Sequence, residues 1–274
     1  VGEGSECFGF DDAISRDHDW GAAVCFWRTE EDYRAVGTEL QAALDELAGR
    51  AAEKLPMRKE SPMAAGRSGV MEIGAFYFRH IGLKTRPDSL IDWLRLPEDR
   101  LATVTNGAVF ADPLGLFSGM RNALSAFYPE DVRRKKLAAR LSMMAQTGQY
   151  NLGRSFKRGE SVAALLAEAQ FATNAMSAVL LLNRRVAPFY KWTHRAWRQL
   201  PVLGPATARL LENLVAAGPA AKEALVEEVC RLVVGELNRQ GLSDKRNDFL
   251  LEQALEVQNG IKDETIRALS VFIG

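Results

Sequence analysis

The sequence predicts an α+β chain: a small mixed β-sheet with helices over residues 1–127, followed by an α-helical bundle over residues 128–274. Three observations carry this. "AAVCFW", Ala22 to Trp27, gathers small, β-branched and aromatic residues into a short run ended by charge, which is a strand signature. Two further short apolar segments, "VMEIGAFYF" and "GAVFADPLG", follow before Phe127. From "YPEDVRRKKLAARLSMMAQ" onward nearly everything keeps helical spacing, so the change from mixed to helical falls near Phe127–Pro129.

Taken in order, "TEEDYRAVGTELQAALDELAGRAAEK" predicts a helix after the first strand. Thr29 and Asp32 are spaced as a capping box, and Val36, Leu40, Leu44 and Leu47 recur at helical intervals. "LPMRKESPMAAGRSG" reads as a loop from its Pro, Gly and Ser content. "VMEIGAFYF" predicts a strand from Val70 that runs into a helical turn. On a strand, Met71 and Ile73 face one way and Glu72 the other. "SLIDWL" and "EDRLATV" predict short helices, and "GAVFADPLG" a third strand and a turn. In the helical half, breaks are expected at "TGQYNLG", "VAPFY", "LPVLGP", "AAGPAA" and "RQGLS". Met143 and Met144 read as core, and "RRKK", Arg133 to Lys136, as a solvated helix face.

Composition narrows the function classes. Apolar residues make up 47% and charged residues 26% of the 274, as in ordinary globular proteins. Lys plus Arg and Asp plus Glu are both 35, so the formal net charge is zero, which disfavours a long nucleic acid as partner. No run of 18 apolar residues suggests a membrane span, and no signal peptide is recognisable. The chain starts at Val1 rather than Met, which leaves room for a preceding segment. Three scattered cysteines, Cys7, Cys25 and Cys230, fit a reducing cytoplasm and supply no disulfide or zinc framework.

The stretch with the most chemistry is "GEGSECFGFDDAISRDHDWGAAVCFW", residues 2 to 27. In an extended chain Asp17 and Asp19 share a face and His18 takes the other. Two such carboxylates can share a hard cation, and Mg²⁺ suits the pair because it also takes waters and phosphate oxygens. Gly4 and Ser5 before them offer a close backbone approach and free amides, as phosphate cradles do. The Asp-x-Asp pattern alone is more often a solvated turn. An EF-hand is excluded by spacing: a loop starting at Asp17 puts Arg28 at position twelve, and one starting at Asp12 puts Ala23 there. His18, His80 and His194 lack zinc spacing, and His80 and His194 read as interfacial or surface residues.

Gly4-Ser5, then Ser15-Arg16-Asp17-His18-Asp19 and an apolar strand, resemble the signature of the DNA polymerase β-type nucleotidyltransferase superfamily. Together with "VTNGAVFADPLGLF", "YPEDV", "LLNRRVAPFYKW" and "LGP", the first block is most similar to a bacterial family known as domain of unknown function 4037, from residue 2 to about residue 205. Arg16 departs from the superfamily's commoner Ser-Asp-x-Asp.

The resemblance implies nucleotidyl transfer: a nucleoside triphosphate bound with Mg²⁺ or Mn²⁺ on Asp17 and Asp19, near Gly4 and Ser5. It implies a third carboxylate on a neighbouring strand, for which Glu72 is the candidate. Asp112 is the rival but reads as a turn residue from its Asp-Pro sequence. It also implies a helical half that closes the cleft, with Lys191 contacting phosphate and Tyr190 stacking on the base; Arg154 and Arg158 sit beside a break and are further cleft candidates. The acceptor is a hydroxyl of a small molecule or of a protein. The alternative is a non-catalytic nucleotide sensor or interaction module that keeps the fold.

Overall fold

The computed structural model of the chain describes residues 1–16, 19–58, 61–62 and 66–274. The architecture is α+β, mostly helical with a small parallel sheet, and the chain divides into two compact units. Unit 1 comprises Val1–Pro87 and Arg100–Ala126; unit 2 comprises Asp88–Asp99 and Phe127–Gly274.

In unit 1, short 3₁₀ turns at Ser5–Phe8 and Ile14–Arg16 precede β1 (Cys25–Arg28), α1 (Glu30–Ala51), β2 (Gly69–Glu72) and α2 (Ile73–Ile81). β1 and β2 pair in parallel, with Cys25 opposite Gly69 and Arg28 opposite Glu72. Thr29 caps α1 by accepting from the Asp32 amide at 3.1 Å, as its spacing predicts. Gln41 on α1 then accepts from the Val70 amide at 2.8 Å, tying helix to strand. A separate parallel bridge joins Ala22 and Met57. Glycine is required beside it: Gly21 has φ +131°, and a Cβ there would lie 2.6 Å from the backbone of residues 56–58.

The "GAVFADPLG" strand is not formed. Gly115 N–H donates to the Asp112 carbonyl at 3.1 Å, and this turn bends the chain into α5 (Leu116–Ser125). The described sheet is therefore parallel rather than mixed. The unit's apolar centre is aromatic: Trp27 stacks on Phe117 at 4.1 Å and meets Phe76 edge-on at 5.4 Å. Buried Tyr77 donates to the Phe117 carbonyl at 3.2 Å. His80 is buried against Phe76, not at the surface, and burial lowers its pKa although Glu3 opposes the shift.

Unit 2 is helical. It contains α3 (Leu90–Arg95), capped by the Ser89–Asp92 box, the start of α4 (Glu98–Thr105), and α6 (Glu130–Met144). Then follow α7 (Gly153–Lys157), α8 (Ser161–Leu182), α9 (Tyr190–Trp197), α10 (Gly204–Ala216), α11 (Pro219–Arg239), α12 (Leu250–Asn259) and α13 (Glu264–Ala268). Four of the five expected breaks separate α8 to α12. The fifth does not break the chain: "TGQYNLG" lies in a π-helical stretch, Ala145–Leu152, that joins α6 to α7. Its glycine serves packing instead, because a Cβ at Gly148 would collide with the ring of Phe171 and with Val226.

α6 packs against α3, α8 and α12. This explains the second departure from expectation, that Arg133, Lys135 and Lys136 are buried. Arg133 donates to the Leu181 carbonyl, Glu130 and Gln240. Lys135 Nζ reaches Gln258 Oε1 and the Leu269 and Ser270 carbonyls. Lys136 donates to the Leu96 carbonyl at 3.1 Å and lies 4.9 Å from the Tyr128 ring centroid. α8 has the length and apolar composition of a bilayer span, which the search for an unbroken apolar run did not register. Its second half, including Phe171, Ala175 and Ala178 to Leu182, is core.

Burial pushes Lys136 down to about 8 from 10.5; Glu98 opposes the shift and Arg140 adds to it. A lysine with a depressed folded pKa weakens the fold while both states are charged, below pH 8. The loss is recovered as pH rises from 8 to 10.5, where the unfolded chain alone stays protonated. Lys136→Met removes the charge and keeps much of the volume, while the Leu96 carbonyl retains Tyr128 as donor at 3.2 Å. The stability of the variant relative to wild type is expected to be highest below pH 8. It should decline by on the order of 2 kcal/mol by pH 10.5, measured by urea unfolding across that range. A difference independent of pH would show that Lys136 is not desolvated.

Candidate functional site

The first residues of the first block are fastened to the rest of unit 1 through Gly2 and Glu3. Asn106 clamps Gly2, accepting from its amide at 2.9 Å and donating to its carbonyl at 2.7 Å. Glu3 gathers two arginines, Arg67 at 2.8 Å and Arg100 at 3.1 Å, and lies 3.7 Å from the His80 imidazole. Ser5 opens a 3₁₀ turn with Gly4 before it, as expected of a Gly-Ser turn. The space beside Gly4 is filled by the Glu6 carboxylate, itself paired with Arg58, rather than by backbone. Asp12 caps the second turn, accepting from the amides of Ile14 and Ser15.

Asp17 and His18 lie outside the described residues. Asp19 is described, and it is not on a strand: its φ is +51° and β1 begins only at Cys25. Its carboxylate accepts from the Ser61 amide at 2.6 Å and hydroxyl at 2.9 Å, and its carbonyl accepts from Arg58 Nε at 2.7 Å. The alternation argument for one strand face therefore fails at Asp19, because a loop latch sets its direction.

Glu72 is also placed differently. β2 ends at this residue, so Ile73 belongs to a helix and cannot define a strand face. The exposed amides of the first turn of α2 need acceptors, and Glu72 supplies them, at 2.6 Å to Gly74 N and 2.5 Å to Ala75 N. Asp112 does the corresponding work for α5 by accepting from Ser118 N at 2.7 Å. Partial burial raises its pKa, but the bonds from Ser118, Gly115 and Leu116 outweigh this and hold the carboxyl below its usual value. Tyr190 and Lys191 begin α9 in unit 2, both exposed. Tyr190 lies 4.5 Å from the Phe189 ring and Lys191 Nζ 5.1 Å from that of Trp192. Arg154 covers the Tyr150 ring at 3.7 Å.

What unit 1 encloses is a cavity of about 610 Å³. Its wall is made by the first block (Gly2 to Gly4, Glu6, Cys7), by Gly21 and Ala23 to Thr29, by Arg58 and Arg67, and by the loop Gly107–Leu114. A cavity of this size holds a small organic molecule. Burial pushes the thiols of Cys7 and Cys25 up, so they are protonated and are not nucleophiles at neutral pH. Of the three arginines in the wall, Arg58 pairs with Glu6 and Arg67 with Glu3. Among the described residues Arg28 forms no ion pair and no side-chain hydrogen bond, and its Nε is buried without an acceptor. Its guanidinium lies 4.9 Å from the Phe26 ring centroid. The sequence reading passed over Arg28, although a charge ending an apolar strand was visible. It also missed Phe110, which is 98% exposed beside the cavity.

Among the described residues no cluster of three or more His, Cys, Asp or Glu side chains could hold a metal ion.

Residues 93–193, from α3 into α9, match the family model described as domain of unknown function DUF4037. Over that segment the chain is similar to this family. No curated protein and no solved structure matches the chain.

Proposed function

We propose that this chain transfers a nucleoside monophosphate from a nucleoside triphosphate to a hydroxyl of a small molecule or protein. The observation that carries the reading is that the block holding the Gly4–Ser5 turn contributes to the wall of one substrate-sized cavity. Gly4 and Glu6 line it, and Arg58, also in its wall, holds the Asp19 carbonyl. Asp19, together with Asp17, would hold Mg²⁺ or Mn²⁺. The ion, when bound, offsets charge on the triphosphate. The acceptor oxygen forms a bond to the α-phosphorus, the bond to the bridging oxygen breaks, pyrophosphate leaves and the acceptor's hydroxyl proton passes to solvent. Glu72 is not given the role of base, since both its oxygens serve α2.

A second reading, a nucleotide-binding sensor or interaction module without catalysis, is favoured by one observation: the carboxylates of Asp19 and Glu72 are both engaged by backbone amides. Incubation with each α-³²P nucleoside triphosphate, Mg²⁺ and a panel of hydroxyl acceptors, this chain included, separates the two. Transfer of label with release of pyrophosphate is the expected result. Saturable nucleotide binding without transfer establishes the sensor, and absence of binding removes both readings.

A further inference from the structure

We infer that the cavity of unit 1 takes an apolar-bodied monoanion, a hydroxyl-bearing carboxylic acid with an aromatic or branched hydrocarbon portion, anchored by its carboxylate on Arg28. The chemistry of the occupant stands on the cavity; only its role as the acceptor rests on the nucleotidyl-transfer reading.

Charge decides the class of ligand. Four carboxylates lie in the wall, Glu3, Glu6, Asp32 and Asp112, against three arginines. Two of those arginines are neutralised by Glu6 and Glu3. A triphosphate, with several negative charges, would meet a wall in which Arg28 is the one arginine without an ion pair among the described residues. A single carboxylate matches that cation one to one.

Arg28 is uncommitted for an identifiable reason. Its neighbour across the parallel ladder is Glu72, and opposite charges in that position ordinarily pair. Glu72 instead turns both oxygens to the amides of Gly74 and Ala75. A buried guanidinium N–H without an acceptor is costly, and a carboxylate, which presents acceptors only, relieves that cost. The adjacent Trp27 repeats the feature, since its indole Nε1 is also buried without an acceptor and the residue also lines the cavity.

The rest of the wall sets the body of the ligand. Phe26 shares the strand face of Arg28 by alternation and lies against its guanidinium. Val24, Val109, Phe110 and Leu114 add apolar surface. Phe110 and Leu114 are 98% and 71% exposed, an arrangement unfavourable for large side chains unless an apolar body covers them.

Titration calorimetry with 3-phenylpropanoate and its neutral counterpart 3-phenylpropanol, each without nucleotide, tests this. Wild type is expected to bind the acid saturably and about tenfold or more tighter than the alcohol. Arg28→Leu should weaken the acid by about 10- to 100-fold, the range of a charge-assisted hydrogen bond, and leave the alcohol unchanged. Arg28→Lys should keep part of the preference. Phe110→Ser, at an exposed position that folding does not depend on, should weaken both ligands. Equal affinities for acid and alcohol in wild type, no saturable acid binding at millimolar concentration, or an unchanged preference in Arg28→Leu would each overturn the inference. If Arg28→Leu does not fold, the wild-type comparison and Phe110→Ser still decide it. Label transfer without acid binding removes this inference alone; acid binding without label transfer removes the nucleotidyl-transfer reading alone.

Discussion

Glu98→Ala is expected to destabilise the protein by about 3–5 kcal/mol, the cost of breaking a buried ion pair by removing one partner. Glu98 is 8% exposed. Arg140 Nη2 donates to it at 2.9 Å, and the Ser177 hydroxyl reaches its two oxygens at 2.8 and 2.9 Å. Arg140 Nε donates in turn to Ser177 Oγ at 2.9 Å, closing the network. Glu98 also raises the pKa of buried Lys136, while Arg140 lowers it. Alanine would therefore leave two cations inside unit 2 without the carboxylate that balances them. Glu98→Gln should cost less, because the amide oxygen still accepts from Ser177. The alanine penalty should also shrink between pH 7 and pH 10, where Lys136 is neutral in the folded state. Urea unfolding followed by far-ultraviolet circular dichroism measures all three, and a loss below about 1 kcal/mol for Glu98→Ala would show that the network does not balance charge.

The same network shows why part of the fold was legible in the sequence and part was not. Caps and spacing are local, so Thr29, Ser89, the strand running into α2 and most helix breaks could be read from neighbouring residues. Burial of Arg133, Lys135 and Lys136 could not, because their acceptors come from far along the chain: Leu181, Gln240, Gln258, Leu269 and Leu96. Gly148 misled for a related reason. A glycine that breaks a helix and a glycine that admits a neighbouring ring look identical in sequence, and only Phe171 and Val226 distinguish them.

At the candidate site, residue types were legible but directions were not. The Gly-Ser turn was placed correctly, because turn propensity is local. Strand alternation was then applied to Asp19 and Glu72, and in each case a backbone amide outside the pattern captured the carboxylate. The capture of Glu72 by α2 in turn leaves Arg28 without an ion pair among the described residues, a consequence that depends on the ladder register.

Asp19→Asn should abolish most of the proposed transfer, by about 10²-fold or more if the carboxylate holds the catalytic ion, while the melting temperature stays near wild type. The two effects separate because Asp19 has two jobs. Its structural job needs an acceptor for the Ser61 amide and a backbone that tolerates φ +51°. Asparagine meets both requirements, since it keeps a carbonyl oxygen and is among the residues that enter the left-handed region most readily. Its proposed chemical job needs a negative charge, which asparagine lacks. Asp19→Ala fails both: it should lose transfer and also about 2–3 kcal/mol of stability, from the unpaired Ser61 amide and a strained backbone. Single-turnover label transfer with Mg²⁺, read beside thermal melts of the two variants, tests the assignment. If Asp19→Asn transfers at the wild-type rate while Asp19→Ala melts early, Asp19 is a loop latch only. The divalent ion would then have to be held without it, or the chain binds nucleotide without turning it over.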